Sequence, residues 1–136
     1  MKNTLRAGIS RREAISVDDE RTIRFLGEAA RVYSTPSMVN DVEYVCFRLI
    51  EEHLDVGESS VGIHVEVEHL AGTPLGEQVT VEIEVCEVDG RRIHMKGRIH
   101  DRLELIGRAN HTRFVIDVEK HADKLREKFD KLTASK

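Results

Sequence analysis

Across residues 37–54 the positions Met38, Val39, Val42, Val45, Cys46, Leu49, Ile50 and His53 recur at three- and four-residue steps, the spacing of one helical face. Pro36 suits a first helical position, which makes Thr35 the expected N-cap. Asp55-Val56-Gly57-Glu58-Ser59-Ser60 then closes the helix in turn residues. From Val61 the period falls to two. Val61, Ile63, Val65 and Val67 share one strand face, Gly62, His64, Glu66 and Glu68 the other. Val79, Val81, Ile83 and Val85 alternate with Thr80, Glu82 and Glu84. Ile93, Met95 and Ile99 alternate with Arg92, His94, Lys96, Arg98 and His100. These runs predict three half-buried strands. Asp89-Gly90 reads as a type I′ hairpin turn. A weaker turn at Asp101-Arg102 leads to a strand through residues 113–116, and residues 13–17 form a short strand ahead of the helix. From Val118 a thin stripe of Val118, Ala122, Leu125, Phe129 and Leu132 on a charged segment predicts a second helix. It is expected to lie across the sheet or a neighbour and to fray at residues 133–136.

A strand, an amphipathic helix, four antiparallel strands and a terminal helix make an α+β two-layer domain. With 136 residues, no repeat and no linker of biased composition, one domain over residues 1–136 is expected. The 21 basic and 25 acidic residues give a net charge of −4, which offers no broad attraction to nucleic acid or to anionic membranes. Aromatic residues are only 4% and Trp is absent, arguing against base-stacking platforms. No run approaches the roughly 20 apolar residues of a membrane span, and the first residues lack the apolar stretch of a signal peptide. A cytoplasmic protein without membrane or nucleic-acid partners is expected. Cys46 and Cys86, each flanked by apolar residues, read as reduced core thiols.

No Gly-x-Ser-x-Gly elbow, phosphate-binding Gly loop or His-Glu-x-x-His string occurs. Candidate chemistry rests on polar residues in unusual places. On a helical wheel Glu43 sits about 20° beyond Ile50, at the margin of the buried face, with Glu52 on the opposite margin. His69 falls in register with Val61, Ile63, Val65 and Val67, on the inward face, where an imidazole donates or accepts near neutral pH. The other histidines read as surface residues. The comb Arg92, His94, Lys96, Arg98 and His100 is either a solvated sheet face or a site for coenzyme phosphates. No His/Cys/Asp cluster has metal-ligand spacing, so no metal is expected.

Read together, Thr35 and Glu43 eight residues apart, Val61-Gly62-Ile63 followed by His69, Ala71-Gly72-Thr73-Pro74-Leu75-Gly76, Val88-Asp89-Gly90-Arg91-Arg92, and His111-Thr112-Arg113-Phe114-Val115-Ile116 resemble the fluoroacetyl-CoA thioesterase family of single-hotdog proteins. The resemblance covers nearly the whole chain and is strongest from Thr35 to Glu119. It implies a hotdog fold, a homodimer and cofactor-independent hydrolysis of acyl-CoA thioesters. The family's catalytic residues fall on Thr35, Glu43 and His69. A glycine whose backbone lies by the thioester carbonyl falls on Gly62, and an arginine near the site on Arg113. Two departures imply a different acyl specificity. The segment before Thr35 is shorter and differs from the family's aromatic lid, and Pro36 stands where the characterised member has glycine. A non-catalytic acyl-CoA or small-ligand binder is the alternative on the same fold. A hotdog dehydratase ranks last, because its aspartate–histidine loop has no clear counterpart.

Overall fold

The structure, a computed structural model, describes residues 1–135. Strand β1 (Ser10–Ser16) precedes helix α1 (Thr35–Glu51), followed by β2 (Glu58–His69), β3 (Gln78–Asp89), β4 (Arg92–His100), β5 (Leu105–Asp117) and helix α2 (Val118–Ala134). The strands form one antiparallel sheet in the order β1-β3-β4-β5-β2, which leaves β1 and β2 at its edges. The α+β expectation and the element order hold. The first, second and last strands run longer than their sequence patterns indicate, because ladder hydrogen bonds carry them through polar ends.

α1 packs its apolar stripe on the sheet. Met38, Val42, Val45, Cys46, Leu49 and Ile50 are buried against Val79, Val81, Ile83 and Val85 of β3, Ile93, Met95 and Ile99 of β4, and Ile106 and Val115 of β5. Removing a Leu, Ile or Val side chain of this kind from water is worth roughly 1.5–3 kcal/mol. Burial pushes the Cys46 thiol up to about 12. Cys86 departs from the core expectation. It is half-buried, beside a register shift between Val85 and Glu87.

Three local expectations are corrected. The N-cap of α1 is Ser34, whose Oγ accepts the Ser37 backbone N–H at 3.1 Å; Thr35 and Pro36 are the first two helical residues. The β3–β4 hairpin turns through Gly90 and Arg91, and only Gly90 has a positive φ (59°). That is the type II′ pattern rather than I′, which needs positive φ at both central residues. In β2 the register shifts between Gly62 and His64. The extra residue at this bulge reverses the alternation, so Ser60 and Gly62 turn toward α1, while Ile63 is 46% exposed.

Of the two places expected for α2, its own sheet is not the one it takes. Asp117 caps it by accepting the Lys120 backbone N–H. Its stripe of Leu125, Phe129 and Leu132 remains exposed, so the helix does not lie across its own sheet. Thr133 and Ala134 are helical rather than frayed; Lys136 lies outside the described residues. No helix among the described residues is long and apolar enough to cross a membrane.

Candidate functional site

Moving the cap to Ser34 releases the Thr35 hydroxyl for another contact. Thr35 Oγ1 lies 2.7 Å from His69 Nδ1, joining the first turn of α1 to the end of β2. The other ring nitrogen, Nε2, is buried without a partner. Such an orphaned polar atom is uncommon in a folded protein and calls for a ligand or a functional reason. Burial lowers His69 below its ordinary value of 6.5, a fall opposed by a backbone hydrogen bond at Ala71. Burial thus favours the neutral imidazole. The Tyr33 ring meets it edge-on at 6.2 Å. Tyr33 is itself held by a 2.6 Å hydrogen bond from its hydroxyl to Asp41, which also receives Arg21.

Glu43 stands two turns further along α1, half-buried. With Asn40, Tyr44, Phe47 and Arg113 it lines a cleft of about 240 Å³. The tie between Glu43 and Glu52 is broken here. Glu52 is exposed and ion-paired with Arg11, whereas Glu43 has no hydrogen bond or ion pair among the described residues. Arg113 is buried, with its Cζ 5.5 Å from the centre of the Phe47 ring. Its Nε and Nη2 donate to Ser60 Oγ and Ser60 O, each at 2.8 Å. No carboxylate ion-pairs with it among the described residues. Burial lowers Arg113 from its ordinary value, while the Cys46 thiolate, once ionised, and the Glu43 and Glu51 carboxylates act to raise it.

The residue that the sequence reading missed is His111. It is 1% exposed, not a surface histidine. Its Nδ1–H donates to the His64 carbonyl at 2.7 Å, which leaves Nε2 to accept from Arg113 Nη1 at 3.1 Å. Both bonds require the neutral Nδ1–H tautomer. Burial lowers His111 below 6.5. Its polar neighbours Asn110 and Thr112 hide it in the sequence; its alternation with Ala109 and Val115 was the available signal. Gly62 pairs with Arg113 across the ladder. A Cβ at Gly62 would fall 3.0 Å from His111 Cε1 and 3.4 Å from Arg113 Nη1, so this stretch of β2 fits a residue without a side chain.

The expected residues thus form two groups on one helix–sheet seam. Thr35 and His69 meet at one end; Glu43, Gly62 and Arg113 gather toward the other. Within the chain no hydrogen bond among the described residues links Glu43 to His69. The comb on β4 lies on the outer sheet face, where Lys96 and Arg98 stand directly opposite Glu84 and Glu82 of β3. Among the described residues no group of three or more His, Cys, Asp or Glu side chains is arranged to hold a metal ion.

A curved antiparallel sheet holding one long helix is the hotdog architecture, and solved hotdog thioesterases share it. Residues 17–119 match the family described as fluoroacetyl-CoA-specific thioesterase, and the chain belongs to that family of thioester hydrolases. It is 36% identical to the fluoroacetyl-CoA thioesterase of Streptantibioticus cattleyicolor over 135 residues, 94% of this chain and 97% of that one. A solved structure of the fluoroacetyl-CoA thioesterase FlK superposes with a TM-score of 0.82 at 34% identity, covering 91% of this chain and 97% of that chain. A thioesterase-superfamily member from Thermus thermophilus superposes with a TM-score of 0.87 at 27% identity, covering 94% and 96%.

Proposed function

We propose that this chain hydrolyses an acyl-CoA thioester to the free acid and CoA, with an acyl preference other than fluoroacetyl. The observation that carries the chemistry is the buried, unpartnered Nε2 of His69, whose ring is fixed from behind by Thr35. Support for CoA comes from a variant of FlK, 35% identical with a TM-score of 0.78, solved in complex with fluoroacetate and CoA. Hydrolysis adds water across the carbonyl–sulfur bond: the hydroxyl goes to carbon and a proton to the departing thiolate. The Glu43 carboxylate either attacks the carbonyl, forming an anhydride that water then opens, or takes a proton from the attacking water. In either route the proton that reaches sulfur is the one released by the attacking water, relayed through His69, and Thr35 positions the imidazole. The Gly62 backbone N–H faces the developing oxyanion, an interaction worth roughly 3–4 kcal/mol where such donors have been removed. Arg113, held by Ser60 and His111, provides a fixed positive charge beside Glu43.

We further propose that the working form is a two-fold dimer with composite sites. Thr35 and Glu43 are eight residues apart on α1, about 12 Å of rise. Gly62 and His69 are seven apart on β2, roughly 20 Å of strand. From these separations along the two elements we infer that one thioester carbonyl is served by one group from each of two chains. β2 is a sheet edge with unpaired backbone groups. A two-fold axis beside it sets the Gly62 end of one copy against the His69 end of the other.

The altered acyl preference is supported by Pro36 directly after Thr35, and by Phe25 and Leu26, which stand 82% and 60% exposed ahead of α1. The test is thiol release from an acyl-CoA panel that includes fluoroacetyl-CoA. Glu43→Gln and His69→Ala should each lower kcat by about 10²-fold or more. Full activity in both variants rejects these roles, tight binding without turnover selects a binding protein, and fluoroacetyl-CoA as best substrate overturns the altered preference.

A further inference from the structure

We propose that Asp41 is a positioning residue for His69: its carboxylate holds the Tyr33 hydroxyl, and the Tyr33 ring braces the imidazole. The inference rests on the thioesterase reading above and deepens it. Asp41 is 3% exposed and interrupts the buried apolar stripe of α1 between Met38, Val42 and Val45. A carboxylate in such a place is costly unless it is paired and hydrogen-bonded. Three donors meet it. Arg21 Nε lies 3.2 and 3.0 Å from the two carboxylate oxygens, and Arg21 Nη2 donates to Oδ1 at 3.1 Å. The Tyr33 hydroxyl donates to Oδ2 at 2.6 Å.

The ion pair with Arg21 would by itself tie the segment ahead of α1 to the helix, and it leaves the phenol unexplained. Tyr33 is 1% exposed, and a phenylalanine would fill the same volume without burying a hydroxyl that needs a partner. The Tyr33 backbone is already fixed. Its N–H donates to the Thr73 carbonyl at 2.8 Å, and it bridges to Thr22. What the hydroxyl adds is the direction of the ring. That ring stands against His69, with centroids 6.2 Å apart and planes at 72°. Thr35 holds the imidazole at Nδ1 and leaves Nε2 unpartnered. The outer torsion of a histidine is broad, so one hydrogen bond does not fix the plane of the ring. The packed Tyr33 ring does, and the chain from Arg21 through Asp41 to Tyr33 thereby sets where Nε2 points.

Tyr33→Phe removes only the hydroxyl and keeps the ring. Its kcat on an acyl-CoA thioester should fall roughly 3- to 10-fold with KM unchanged. Asp41→Asn, which keeps an acceptor for the phenol, should lose less kcat than Asp41→Ala, and the reverse order overturns the proposal. In a His69→Ala background Tyr33→Phe should cause no further fall, since its effect passes through the imidazole. A wild-type kcat in Tyr33→Phe overturns the proposal, and so does an equal fall with and without His69. Nitrogen-15 NMR of histidine-labelled protein gives a readout that needs no turnover. The His69 ring nitrogens of wild type should report one tautomer, and those of Tyr33→Phe a mixture of the two; the same spectrum in both proteins overturns the proposal. If the wild-type protein hydrolyses no thioester, the activity reading fails by itself, and the NMR comparison decides the positioning role.

Discussion

His111 is held at both ring nitrogens, by the His64 carbonyl and the Arg113 guanidinium. Adding a proton at Nε2 sets two donors against each other and leaves a charge in a buried place. Glu43 is the nearby charge that favours protonation, Arg113 and His64 those that oppose it. His69 is also depressed by burial. The sign follows from linkage. The unfolded chain takes up these protons near pH 6.5, and the native protein only at lower pH. Stability is thus fully present above about pH 6.5 and is lost as pH falls below it. Urea midpoints should be level between pH 7.5 and 7.0 and fall by pH 5.5, with a smaller fall in His111→Gln; equal falls in both proteins would remove His111 from this account. Gly62 gives a second prediction at this scale. In Gly62→Ala the new methyl group presses on His111 and Arg113. A loss of about 1–3 kcal/mol is expected from such overpacking, with a larger relative fall in kcat, read by chemical denaturation beside thiol release.

At the level of single elements, the join of loop to α1 separates two hydroxyls that the sequence makes look equivalent. Ser34 and Thr35 are both good caps and both precede Pro36. The structure gives the capping role to Ser34 and the His69 contact to Thr35. Ser34→Ala should cost about 1 kcal/mol, a fall of roughly 3 °C in Tm. Thr35→Ala should move Tm by less and lower activity more. A Thr35→Ala protein as unstable as Ser34→Ala but fully active would reverse the assignment. The same comparison shows why some features were legible and others were not. The stripe on α1 and the alternation in β3 and β4 are long enough to fix both element and buried face, and Glu43 and His69 could be singled out as departures from those patterns. The β2 bulge left no such trace, since one inserted residue flips the facing while Val61, Ile63 and Val65 still look like an unbroken apolar strand. His111 was hidden for a related reason. β5 extends well beyond residues 113–116, and its polar inward positions matter only once β2 and α1 cover them.

A composite site, as proposed above, would give the whole molecule a property that no single-chain arrangement shares. If His69 of one copy works with Glu43 of the other, the two inactive variants complement each other. In a mixed dimer of His69→Ala and Glu43→Gln, one site collects both defects and the other collects neither. Free exchange makes half of all dimers mixed, each with one intact site of two, so roughly a quarter of wild-type activity should return. If each site drew all its groups from one chain, every site in the mixture would keep one defect and no activity would return. The experiment is to purify both variants, mix them at equal concentration, let subunits exchange under mild denaturant, and assay thiol release against time. Sedimentation of each variant alone shows whether dimers are present to exchange. Recovery toward one quarter supports the two-fold arrangement along β2. Dimers that exchange subunits without any recovery would place Glu43 and His69 of one chain in the same site, and the separation along α1 and β2 would then have to close by movement within that chain.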